Sequence, residues 1–261
     1  MFKYALGLEY DGRFWHGWQR QANCPTVQEA LERSLSDIAG EEITTVCAGR
    51  TDKGVHALCQ VVHFETAATR QDKAWVFGAN KYLPTSLRVL WVKKVAPDFS
   101  ARYSAYSRAY QYIIYNSKIR PALNHGRVTW LYKHMNAEAM HEAAQALLGE
   151  HDFSAFRDKA CQSKSTNRNV SRISVQRQGV YVILDIEANA FLHHMVRNIV
   201  GVLLRIGYGE RPMAWAKSVL DAKTRQHGGI TAPADGLYLT KVRYKPEYGL
   251  GEFEPNCQIL I

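Results

Sequence analysis

No long apolar run interrupts the sequence. Its most apolar stretch, Ile199 to Leu204, falls far short of the roughly twenty residues that span a bilayer, which excludes a membrane bundle. Cysteine is scarce and unpaired in pattern: Cys24, Cys47, Cys59, Cys161 and Cys257 are odd in number, widely spaced and without a C-x-x-C. A disulfide framework and a zinc ribbon are thereby set aside, and a reducing cytoplasm fits best. With 18 glycines and 8 prolines in 261 residues there is no collagen-like or low-complexity architecture. Lys3, Glu9 and Asp11 break up the N-terminal MFKYALGLEYDG, so no export signal is expected. What remains, 46% hydrophobic and 22% charged residues, is the composition of a folded protein with one large domain or two smaller ones.

Acidic side chains are in deficit: 33 Lys+Arg against 24 Asp+Glu give a net charge of +9 and a pI near 9.3. The excess falls mainly after residue 104. It is dense from Arg157 to Arg177, where Lys159, Lys164, Arg168 and Arg172 also stand and Asp158 is the one acidic residue. Such a segment is either the footprint of a polyanion or a solvated basic face.

Several catalytic signatures are missing. Gly49 and Gly54 have P-loop spacing, but Val55 and His56 stand where Lys and Ser/Thr are required. There is no G-x-S-x-G and no G-x-G-x-x-G after a strand. Ten histidines include the pairs His56/His63 and His193/His194 but form no H-E-x-x-H, and adjacent histidines on a helix would point about 100° apart, so no metal is expected.

Periodicity places the elements. Phe2, Tyr4, Leu6, Leu8 and Tyr10 alternate as in a half-buried strand. Thr26 and Glu29 form a capping-box pattern ahead of Val27, Leu31, Leu35 and Ile38, with Gly40 as the stop. Strands are expected at 43–47, 59–66 and 87–95 and a helix at 72–80. The pattern restarts with a strand in SRAYQYIIYN, a helix capped by Asn136 and running to Leu148, and strands at 170–177 and 180–188. Helices at 191–206 and 212–221 and a strand at 237–245 follow. This order implies an α+β fold with mainly antiparallel sheets. We expect two similar subdomains, 1–104 and a strongly basic 105–261, each a sheet with helices on one face and with an RNA-binding cleft between them.

One segment, AGRTDKGVHALCQVVHFET at 48–66, carries chemistry. Asp52 lies in a tight loop between Arg50 and Lys53, whose charges favour its ionised form. It can act there as a nucleophile or base, or simply as a turn residue. Tyr106, Arg108, Tyr110, Tyr112 and Ile114 share a strand face that suits base stacking beside phosphate, or a tyrosine-rich core. Arg197 stands on an otherwise apolar helix, a partly buried guanidinium in need of an acidic partner.

GRTDKGVHA, with YDGRFWHGWQRQ and TVQEALE before it and SRAYQYIIYN, FLHHMVRNIVG and DGLYL after it, resembles the tRNA pseudouridine synthase I family over nearly the whole chain. The resemblance implies an isomerase that converts uridine to pseudouridine at positions 38, 39 and 40 of the tRNA anticodon stem-loop, as a homodimer without cofactor or metal. It makes Asp52 the catalytic aspartate and Tyr110 the tyrosine that stacks on the target base. Arg197 becomes the cation that pairs with the aspartate. Arg50 is associated with that carboxylate and with displacing the base, and Leu237 lines the base pocket. The chemistry needs no energy carrier. The aspartate could attack uracil C6, attack ribose C1′, or take the C2′ proton.

Overall fold

The computed structural model describes residues 1–251; Cys257 lies outside them. In chain order the elements are β1 (Phe2–Tyr10), α1 (Val27–Ala39), β2 (Val46–Cys47), β3 (His56–Thr66), α2 (Ala79–Tyr82) and β4 (Leu87–Lys94). Next come β5 (Ala105–Asn116), β6 (Thr129–Leu131), α3 (Ala137–Ala144), β7 (Gly149–Asp152), β8 (Asn167–Gln178) and β9 (Tyr181–Ala188). The last are α4 (Met195–Gly207), α5 (Trp215–Ala222) and β10 (Leu237–Tyr244). The fold is α+β, and no helix among the described residues is long and apolar enough to cross a membrane.

Two compact units divide the chain. Met1–Arg108 and the described chain from Tyr238 onward form the first, and Ala109–Leu237 the second. A single cut near 104 does not describe this division, because the chain returns to its first unit. β10 runs parallel to β3, with Tyr238 opposite His56 and Leu239 opposite Ala57.

In the first unit β1 lies antiparallel between β3 and β4, and β2 adds to β3. Tyr4 faces Phe64, Leu6 faces Val62 and Leu8 faces Gln60, which keeps the alternating apolar face of β1 in register with that of β3. The rings of Tyr4 and Phe64 stack at 5.7 Å, and Trp75, in the helical turn Ala74–Gly78, closes over both. The opposite face is buried too: Ala5, Cys59 and Val61 lie under Val95, Phe99 and Ala101, with Tyr244 and Tyr248 against the Phe99 ring. Gly7 is what admits Trp91, because a Cβ there would stand 2.0 Å from the indole nitrogen.

α1 is not capped by the expected box. The Thr26 hydroxyl is buried without a hydrogen-bond partner. Backbone replaces it, since the Val27 and Gln28 amides donate to the Gly17 and Trp18 carbonyls and so satisfy two of the helix's orphan donors. The expected strand at 43–47 shortens to β2.

In the second unit β8 pairs antiparallel with β9 and β7, β9 neighbours β5, and β6 runs parallel to β5. The helix at 137–144 has its cap, with the Ala139 amide donating to Asn136 Oδ1 at 3.0 Å, but it tightens into a single 3₁₀ turn before Leu148. α3 is tied to β8 by side chains, Val175 N–H to His141 Nδ1 and Gln145 Nε2 to the Ile173 carbonyl. α4 starts at Met195 instead of 191, because His194 is left-handed at φ 60°. β6 and β7 are too short for a pattern to show.

Candidate active site

The loop after β2 is built on the first unit's sheet. Ala48 N–H donates to the Val61 carbonyl, the last ladder bond before the chain departs. Gln60, wholly buried, then bonds Gly49 through both ends of its amide. Thr51 is buried and held twice: its carbonyl accepts from Trp18 N–H at 3.0 Å, and its Oγ1 lies 2.8 Å from the Tyr10 hydroxyl. Asp52 follows, half-buried, and its carbonyl accepts from Val55 N–H to close a four-residue turn in which Gly54 takes φ 82°. Arg50 and Lys53 are exposed on either side. Beneath runs the segment Gly12–Trp18. Gly17, at φ 91°, lets it pass: a Cβ would meet the Thr51 oxygen at 2.7 Å. Trp15 and Trp18, on the aromatic loop before α1, are buried supports of this arrangement.

Arg108 has a different place from the one its strand position suggests. It is 8% exposed, and its guanidinium donates to the carbonyls of Ala48, Ala105 and Arg102, so it braces the entry to the Asp52 loop. Cys47, buried beside it, has its thiol pushed up to about 12 by burial. Below the far end of the loop His56 stacks on Tyr238, with ring centroids 4.5 Å apart. Its Nδ1 lies 3.1 Å from the Gly12 amide and 3.4 Å from Asp11 Oδ1. Burial raises the Asp11 carboxyl, but hydrogen bonds from His56 and the two-pronged Arg13 outweigh it and hold the group well below the usual range.

The second unit carries Tyr110, Arg197 and Leu237. Tyr110 on β5 is 8% exposed, with Phe191 packed edge-on at 5.0 Å. Arg197, half-buried in the first turns of α4, donates through Nε to the Ala232 carbonyl at 2.7 Å, while Ala232 N–H donates to the Arg197 carbonyl. Asn198 fixes the same loop, accepting from Arg225 and Thr231 and donating to the Phe156 carbonyl. Leu237 is buried at the start of β10, its amide bonded to the Ala234 carbonyl. Tyr112 is core: its hydroxyl is 2.7 Å from Thr129 Oγ1 and donates to the Pro233 carbonyl, and burial pushes its pKa up. His193 and His194 are not helical neighbours. The left-handed His194 brings their rings into a 4.0 Å stack, with Asp158 at both Nδ1 atoms.

The basic segment divides. Arg168 is buried and bonds Ser163 Oγ and the Ser165 and Asn167 carbonyls, while Arg177 bonds Asn116 and the Met135 carbonyl. Lys159, Lys164 and Arg172 are exposed. Phe191, Ala232 and Gln60 escaped the sequence reading. A backbone carbonyl leaves no signature in a sequence, but a glutamine inside the run Cys59–Phe64 was a visible anomaly.

A family model described as tRNA pseudouridine synthase matches residues 6–104 and 143–245, which include Arg50, Asp52, Arg197 and Leu237, while Tyr110 falls between the two segments. The tRNA pseudouridine synthase A of Shigella boydii serotype 4 (strain Sb227) is 54% identical over 250 residues, 96% of this chain and 93% of the relative. That of Legionella pneumophila (strain Lens) is 51% identical over 252 residues, 97% and 96% of the two chains. A solved chain from "Crystal Structure of a Cbf5-Nop10-Gar1 Complex" aligns over 90% of this chain and 48% of its own length, with a TM-score of 0.37 and 11% identity.

Proposed function

We propose that this chain, which belongs to the tRNA pseudouridine synthase family, isomerises uridine to pseudouridine at positions 38, 39 and 40 of the tRNA anticodon stem-loop. The supporting observation is the Asp52 loop: a half-buried carboxylate between two exposed cations, on backbone held at Gly49, Thr51 and Val55. A carboxylate fixed in this way can attack or deprotonate a nucleoside without first paying to be ordered. In the reaction the C1′–N1 bond breaks, the uracil turns, and C5 bonds to C1′. A proton leaves C5 and one is taken up at N1, so the product is an isomer. The net change requires neither redox chemistry nor an energy carrier.

Asp52 is the catalytic residue in this reading. Arg50 and Arg197 are the cations that serve it, Tyr110 stacks on the uracil and Leu237 lines the base pocket, roles that rest on the family resemblance. The target uridine must leave its stack, at a cost of a few kcal/mol that stacking on Tyr110 offsets in part. The enzyme works as a homodimer in the cytoplasm, a setting that suits Cys24, Cys47, Cys59 and Cys161, all unpaired.

The test is incubation of the purified protein with an unmodified tRNA transcript, followed by nucleoside analysis. Pseudouridine should form in the anticodon stem-loop without chain cleavage or change of mass. Asp52→Asn should lower turnover by roughly three orders of magnitude or more while tRNA binding survives. A purified variant with near-wild-type turnover would end the assignment.

A further inference from the structure

We propose that Tyr10 and Gln60 are positioning residues that hold the Asp52 loop, and through it the carboxylate, in its working place; the proposal rests on the reading of Asp52 as the catalytic residue. Gln60 sits in β3 among Cys59, Val61 and Val62 and is fully buried, where an amide is costly unless it is hydrogen-bonded. Its bonds all lead to the loop. Nε2 donates to the Gly49 carbonyl at 2.6 Å, Oε1 accepts from Gly49 N–H at 3.4 Å, and Nε2 also reaches the Tyr10 hydroxyl at 3.4 Å. The side chain thus gives Gly49 what the backbone of a neighbouring strand would give, at the point where β2 has ended.

The Tyr10 hydroxyl, on β1, stands 2.8 Å from Thr51 Oγ1. That hydroxyl accepts from Gln60 and shares a proton with Thr51, either oxygen of the pair being able to donate. The relay Gly49–Gln60–Tyr10–Thr51 therefore grips the loop on both sides of Arg50 and ends one residue before Asp52. It is buried at Tyr10, Thr51 and Gln60, so its bonds form in a medium where they are strong and where losing one member leaves another unpaired. Leucine and phenylalanine would fill the same space in the core. What the polar pair adds is a fixed backbone for the loop.

The experiment compares Tyr10→Phe, Gln60→Leu, Thr51→Val, the Tyr10→Phe/Thr51→Val double variant and Thr51→Ser in the full-length protein, reading kcat, tRNA affinity and melting temperature. We expect Tyr10→Phe, Gln60→Leu and Thr51→Val each to lower kcat by on the order of 10- to 100-fold, as for a reacting group displaced by a fraction of an ångström to an ångström. Affinity for tRNA should stay within about twofold, since these substitutions are buried and remove no surface charge. The double variant should be no slower than the worse single one, because the Tyr10–Thr51 bond is lost in both, and Thr51→Ser should keep turnover near wild type. Wild-type kcat in Tyr10→Phe, or losses that multiply in the double variant and follow the melting temperature, would overturn the proposal. A wild-type protein that makes no pseudouridine, or an active Asp52→Asn, would instead overturn the functional reading on which it stands.

Discussion

The carboxylate of Asp11 keeps its charge against burial because Arg13 and His56 both reach it. In the unfolded chain the group titrates near 3.8, and in the folded protein lower. The unfolded state therefore binds more protons as the pH falls through the acid range. The stabilisation is complete above the unfolded value and disappears as the pH drops through the folded one. Asp11→Asn should cost about 1–3 kcal/mol at neutral pH, with the gap to wild type closing in strong acid, as urea unfolding across pH would record. Tyr110 is the other residue whose environment sets a measurable expectation. Phe191 meets it edge-on, which leaves stacking to the ring rather than to the hydroxyl. Tyr110→Phe should retain most of the binding of the target stem-loop and Tyr110→Ala should lose about 1–3 kcal/mol, measured by titration below saturation.

At the scale of elements, α4 and the 228–232 loop form a joint with no room in it. A Cβ on Gly201 would stand 1.8 Å from the Ile230 oxygen, and one on Gly229 would stand 2.8 Å from the Gly201 oxygen. The loop closed down by these two glycines presents the Ala232 carbonyl to Arg197. Gly201→Ala should therefore act at a distance. It should cost about 1–3 kcal/mol of stability through overpacking, and lower kcat beyond what the loss of folded protein explains, since Arg197 loses its anchor. A calorimetric scan beside single-turnover kinetics separates the two effects. α4 itself was legible in the sequence, because Val196, Ile199, Val200 and Leu203 keep helical spacing. Its start was not: a left-handed His194 is a conformational choice forced by surroundings that a spacing rule does not contain. Thr26 fails for the same reason, its capping role taken by carbonyls of Gly17 and Trp18 that lie far from α1 in the pattern.

Across the whole molecule the net charge of +9 remains the guide to a polyanion, but the charges are not equivalent. Charge removal at Lys159, Lys164 and Arg172 together should flatten the slope of log K against log salt by roughly two to three units if all three touch phosphate. Arg168→Met should leave that slope alone and loosen the 163–167 segment, which limited proteolysis would report. Counting cations in a sequence could not make this distinction, since burial of Arg168 and Arg108 depends on carbonyls supplied by the folded chain. The Asp52 loop stood out through the GRTD signature and the family resemblance it carries, for by its residue types alone Asp52 could equally be a turn residue. Its scaffold of Tyr10, Gln60 and Gly17 did not, because those residues serve it from three other stretches of sequence.

The parallel pairing of β10 with β3 also sets an order of events during synthesis. The ribosome delivers Asp52 early, together with β1, β3 and β4, but Tyr238, whose ring backs His56, emerges only after all of 109–237 has been made. The second unit is one uninterrupted stretch and can condense as it leaves the exit tunnel, while the first must wait with an open edge on β3. A released chain truncated after Leu237 should thus show a protease-resistant 109–237 beside a cleavable 1–108. On the proposed reading of Asp52, the unit that carries it is the last to be finished, so the growing polypeptide should stay inert toward the tRNAs crowding the very machine that is making it.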